Sequence, residues 1–198
     1  MAWYDPTKKV PVSRVAFNRI IDGFVFCCPS SIKSDETDNA NPKKRNIIYK
    51  EVSKRACSFR KRGIESTLLT TLLALIRKPL TDQKTYSVLK DDEDVATAVD
   101  RIIIASSLAD PFFDIMVYKH HPKMSDAEAI YYYIRNAFAH GSFEVKCTKR
   151  GCYYLLQSDK DGKVKAQMRL RESTLNHLLE LSKMSASDLR AKQRNKRR

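Results

Sequence analysis

No stretch of this chain is apolar for long enough to span a bilayer: the longest mostly apolar run, Ser66 to Ile76, falls short of the roughly 20 residues a spanning helix needs. The N-terminus, M-A-W-Y-D-P-T-K-K-V, lacks the apolar core of a secretory signal. A cysteine framework is missing as well. The five Cys are odd in number; Cys27 and Cys28 are adjacent, Cys57 stands alone, and Cys147 and Cys152 have no matching second pair. That spacing argues against a zinc site and for reduced thiols in a cytoplasmic protein. No helix-turn-helix stands out, which places a sequence-reading DNA-binding protein last among the candidates. Acid is scarce. The chain carries 23 Asp and Glu against 37 Lys and Arg, a net charge of +14. A surplus of that size points to a polyanionic partner, and nucleic acid comes before a membrane because neither a lipidation motif nor a basic amphipathic anchor is present.

What is there suits one domain. Hydrophobic residues at 42% and charged residues at 30% are ordinary for a globular chain of 198 residues. Residues 1–182 read as that domain, and residues 183–198 as a basic, disordered tail. Val15, Phe17, Ile20, Ile21, Phe24 and Val25 follow helical spacing after Ser13, although Gly23 interrupts them. Residues 29–44 are polar and rich in turn formers, a flexible loop. Ile47, Ile48, Val52, Ala56 and Phe59 give a further helical stripe, whose other face carries Lys50, Lys54 and Arg55, suited to a phosphate backbone and equally to a solvated helix face. Ile64 to Arg77 reads as a buried central helix that stops before Pro79. Thr81 to Lys90 is a connection of open form. Asp91 to Asp94 lie where a helix dipole favours acid, at the start of a helix running to Asp110, so the acid run needs no metal. Pro111 starts a short helix through Met116. His120 and His121 are adjacent, so their side chains point apart, which argues against joint metal ligation.

The most informative stretch is Ser125 to Gly141, S-D-A-E-A-I-Y-Y-Y-I-R-N-A-F-A-H-G. Ser125 with Glu128 forms a capping box, and Gly141 suits the left-handed residue that closes a helix. Ala127, Ile130, Ile134, Ala137 and Phe138 line a stripe that faces a core. Arg135, Asn136 and His140 fall on the other side with Tyr132 and Ala139, and Arg135 and His140 stand about 140° apart around the axis. A permanent cation, an amide and an imidazole, the ring that titrates near neutrality, make a site for a phosphodiester. Beyond Gly141 the period falls from 3.6 to 2. Residues 142–171 read as a small three-stranded antiparallel sheet, with Asp161-Gly162 as a hairpin turn, before a last helix from Ser173 to Leu181. A second Arg-to-His pair, Arg171 and His177, straddles the start of that last helix.

Arg135-Asn136-Ala137-Phe138-Ala139-His140 resembles the R-x(4–6)-H signature of HEPN domains, helical domains of which many are metal-independent ribonucleases of toxin–antitoxin and phage-defence systems. The resemblance is specific over Tyr131 to Phe143. It implies a mainly α fold, a helical bundle with the small C-terminal antiparallel sheet and a last helix appended. It implies too an RNA substrate, no cofactor or metal, catalytic roles for Arg135, His140 and Asn136, and RNA contacts at Tyr132, Lys50, Lys54 and Arg55. Partners would be RNA, a second copy of the chain paired through Tyr132, Asn136 and Ala139, and an antitoxin or other defence-system protein, with no membrane involved. The alternative is a non-catalytic HEPN module binding RNA, a nucleotide or a partner protein.

Overall fold

Two stretches that do not read as strands, Tyr86–Leu89 and Ile115–Lys119, pair in parallel and change the class of the fold. The computed structural model describes residues 3–5, 14–27, 59, 62–81, 85–90, 92–105 and 113–195. Helix α1 (Arg14–Ile21) loosens into a π-helical segment, Asp22–Cys27. After it come α2 (Ser66–Thr81), β1 (Tyr86–Leu89), α3 (Val95–Ala105), β2 (Ile115–Lys119) and α4 (Asp126–Ala139). The chain closes with β3 (Phe143–Thr148), β4 (Gly151–Lys160), β5 (Lys163–Arg171), α5 (Glu172–Lys183) and α6 (Ala186–Asn195).

The five strands form one mixed sheet in the order β1-β2-β5-β4-β3, in which only β1 and β2 run parallel. This is an α/β fold, and the expectation of a mainly α bundle with a small C-terminal sheet is overturned. The predicted three-stranded sheet is the antiparallel half of a larger one. All five residues of β2 are buried. A strand covered on both faces has no polar face to alternate with, so its sequence carries no period of two. That is why Ile115 and Met116, expected at the end of a short helix, instead open a strand.

One face of the sheet presents Met116, Tyr118, Tyr154, Leu156, Ala166, Met168 and Leu170 to the main core, which α1, α2, α4 and α5 complete. The other face places Ile115 and Val117 against Val95, Ala98 and Val99 of α3. Gly23 is explained by this packing. A Cβ there would come within 2.6 Å of a methyl carbon of Leu179, so glycine lets the π-helical segment seat against α5.

Several local expectations change. Helix α2 continues through Pro79 to Thr81. The last helix begins at Glu172, its cap is Arg171 and not Ser173, and the buried carboxylate of Asp114 accepts from Arg171 N at 2.7 Å and from Thr174 Oγ1 at 2.7 Å. Within the tail, Ala186–Asn195 is ordered as α6, opened by a capping box between Ser185 and Asp188 and anchored by the fully buried Leu189. Arg62 ties it down by donating to the carbonyls of Ser182 and Met184. Cys147 and Cys152 are not reduced thiols: they stand opposite each other in the β3–β4 ladder and are joined in a disulfide. The turn at Asp161-Gly162 is as expected, both residues having positive φ, 53° and 70°. Most of the predicted helix carrying Lys50, Lys54 and Arg55, and the loop 29–44, lie outside the described residues. Among the described residues no helix is long and apolar enough to cross a membrane.

Candidate active site

Helix α4 is fixed at both ends by its own sequence. Ser125 Oγ accepts from Glu128 N at 3.3 Å, and Glu128 Oε2 accepts from Ser125 N at 3.0 Å, which closes the capping box. At the other end Gly141 takes φ 69°, Gly141 N donates to Phe138 O at 3.2 Å, and Ser142 N donates to Ala137 O at 2.8 Å. This paired closure is a Schellman motif. It makes His140 the last residue before the chain reverses, and its side chain is exposed.

The apolar stripe lies where the pattern put it: Ala127, Ile130, Ile134, Ala137 and Phe138 are buried. Burial reaches further round than the stripe. Tyr131 donates to Leu178 O at 2.8 Å, and Tyr133 donates to Lys119 O at 3.0 Å. These bonds lock the helix between α5 and the end of β2, and leave a narrow solvent strip of Tyr132, Arg135, Asn136, Ala139 and His140.

On that strip Arg135 is half-buried, and its Nε is shut away from solvent with no hydrogen-bond partner. No carboxylate pairs with it among the described residues. The Asn136 carbonyl accepts from His140 N at 3.0 Å, a bond of the helix backbone. No hydrogen bond joins the side chains of Arg135, Asn136 and His140, in keeping with the wide angle between Arg135 and His140 around one helix. Tyr132 is half-buried and meets the ring of His121 edge-on at 5.5 Å. The other Arg-to-His pair is not a site: Arg171 is bound to Asp114 through Nε at 3.0 Å and Nη2 at 2.7 Å, and His177 is exposed on α5.

No family model, curated protein or solved structure matches the chain. The site therefore stands on its own geometry.

Beneath α4 lies an aromatic row that the sequence reading did not assemble. Tyr86 and Tyr118 meet hydroxyl to hydroxyl, Tyr118 packs on Tyr133 at 5.9 Å between ring centres, and the Arg77 guanidinium lies 4.6 Å over the Tyr86 ring. Burial pushes the Tyr86 phenol up to about 12, and raises that of Tyr118 further. Only the parallel pairing of β1 with β2 brings Tyr86 to Tyr118, and nothing in the sequence announces that pairing. His121 was visible as half of a His pair and was weighed only as a metal ligand. Its neighbours make it a ring partner instead. Among the described residues no group of three or more His, Cys, Asp or Glu is placed to hold a metal ion.

Proposed function

We propose that this chain is a metal-independent endoribonuclease with a HEPN-type signature, in which Arg135 and His140 act on the RNA backbone. The observation that carries this reading is Arg135. Its guanidinium sits on the solvent strip of α4 with Nε buried and unpaired, and no carboxylate pairs with it among the described residues. A buried donor left unpaired costs about 1–3 kcal/mol, and the solvent-facing part of the same guanidinium is left to take a phosphate oxygen through a charge-assisted bond.

The reaction is an internal transfer. The 2′-oxygen of RNA bonds to the adjacent phosphorus as its proton passes to a base, the P–O5′ bond breaks, and the departing 5′-oxygen takes up a proton. The products are a 2′,3′-cyclic phosphate and a 5′-hydroxyl. His140, exposed at the end of α4, is the group for proton transfer. The planar fork of Arg135 holds the non-bridging oxygens, where charge develops. Asn136, beside Arg135, orients the phosphate or His140. A homodimer, an antitoxin or other defence-system partner, and a cytoplasmic location belong to the same reading.

The test is purified protein with single-stranded and structured RNA in EDTA, followed by end-group analysis. Cleavage with cyclic-phosphate ends is expected from the wild type, and a rate lower by roughly 10²- to 10⁴-fold from His140→Ala. Full activity of that variant, loss of activity in EDTA, or 3′-hydroxyl ends would overturn the mechanism and leave a module that binds RNA, a nucleotide or a protein without cutting.

A further inference from the structure

The connections leaving β1 and β2 depart to opposite faces of the sheet, β1 into α3 on one side and β2 into α4 on the other. In open α/β sheets the crevice at such a switch, outside the carboxyl ends of the strands, is where ligands bind. Here it holds the loop from His120 to Ser125.

Sheet register places further groups beside it. Tyr118, Ala166 and Ser158 stand in one row across β2, β5 and β4. Two residues past Tyr118 is His120, and two past Ser158 is Lys160, so the two are separated by about two strand spacings, roughly 10 Å. Lys123 lies in the loop itself, donating its backbone N–H to His121 Nδ1 at 3.3 Å. Burial, then the nearby Lys160, His120 and Lys123, lower the basicity of His121. Of the nearby carboxylates, Asp126 is engaged by His120 of the same loop at 3.2 Å, and Asp159 by Gln157 Nε2 at 3.1 Å. Lys123 and Lys160 are exposed and have no ion-pair partner among the described residues. At the centre is the half-buried Tyr132, held edge-on by His121 and a turn before Arg135 on the solvent strip. The helix rise puts it about 12 Å along the axis from His140.

We infer that Tyr132, His121, Lys123 and Lys160 form a second RNA subsite, where an unpaired base stacks on Tyr132 beside His121 and the two lysines take the flanking phosphates. This rests on the ribonuclease reading and extends it to how a single strand is gripped. An aromatic platform flanked by lysines is how single strands are held without sequence preference. The strand would run along α4 from the switch-point loop towards His140.

The experiment is fluorescence anisotropy of a labelled, unstructured 12-nucleotide RNA with the full chain carrying His140→Ala, over a salt series. In that background Tyr132→Ala should weaken binding about tenfold or more, and Tyr132→Phe should keep it. Lys123→Ala and Lys160→Ala should each lower the salt slope by about 0.7. Arg101→Ala, on α3 across the sheet, removes one charge away from the subsite and serves as control. Equal losses from Arg101→Ala and Lys160→Ala, or unchanged binding by Tyr132→Ala, would overturn the subsite. The two readings separate in a parallel assay of the protein with His140 intact. Cleavage without any effect of Tyr132→Ala on binding sinks the subsite alone. No cleavage, with binding still weakened by Tyr132→Ala, sinks the catalytic reading and keeps the subsite. No RNA binding at all sinks both.

Discussion

Arg135 is where function and stability pull apart. A half-buried guanidinium with an unpaired Nε is a cost to the folded chain, because no partner among the described residues compensates its lost hydration. Arg135→Met keeps most of the side-chain length and discards the charge, so the thermal midpoint should hold or rise while RNA cleavage is lost. Arg135→Lys should also lose cleavage, since an ammonium keeps the charge without the fork. A fall in stability of more than about 2 kcal/mol in the Met variant would show that the arginine is there to hold the fold. Gly23 is the opposite kind of residue, placed by packing. With a Cβ landing 2.6 Å from one Leu179 methyl and 2.7 Å from the other, Gly23→Ala should cost about 1–3 kcal/mol in denaturant unfolding. Leu179→Ala in the same chain should relieve part of that, giving a double variant more stable than the two losses added.

Among the elements, β1 and β2 carry a pH dependence at the alkaline end. Burial raises the Tyr86 phenol from its ordinary 10 to about 12, because the ionised form is the one burial penalises. Below pH 10 both folded and unfolded chains keep the proton, and the contribution is fully present. Between pH 10 and 12 the unfolded chain releases it first, so stability falls as pH rises. Tyr86→Phe should flatten the curve in that window by on the order of 1–2 kcal/mol, read as the difference between two urea-unfolding series; parallel curves would show that Tyr86 ionises freely in the folded chain. These strands were also the least legible part of the sequence. Helix α4 could be read from its sequence down to its capping box, because Ser125, Glu128 and Gly141 each act within a few residues. The β4–β5 hairpin was legible at Asp161-Gly162 for the same reason. What escaped depends on partners distant in sequence: β2 is buried on both faces and so shows no alternation, and the tail is held by Leu189 in a core assembled from elsewhere. Cys147 and Cys152 read as reduced thiols from their spacing, although the hairpin expected there puts them face to face. Of the candidate site, the signature residues were legible, while the subsite around His121 needed the β2–α4 loop and the end of β4 brought together in space.

At the scale of the whole molecule, the angle between Arg135 and His140 decides how the site is assembled. On one helix the two lie about 140° apart, so a phosphate held by Arg135 is turned away from His140 of the same copy. Two copies crossing at Ala139, an exposed position where only a methyl group limits approach, would set Arg135 of one against His140 of the other and leave Tyr132, two turns away, at the mouth of the cleft. A two-fold contact of this kind is self-complementary and yields two composite sites. The β3 edge of the sheet offers little competition, since β3 carries Lys146 along it and ends in a turn of Lys149 and Arg150, charges that oppose edge pairing. The wild type should therefore sediment as a dimer at micromolar concentration, and Ala139→Arg as a less active monomer. The sharper test mixes two inactive variants. In a heterodimer of Arg135→Met with His140→Ala, one site collects both defects and the other is wild type. Random pairing of equal amounts makes half the dimers hetero, so an equal mixture should recover about a quarter of wild-type cleavage. A site contained within one copy predicts no recovery at all, and a mixture as inactive as its components would sink the shared site.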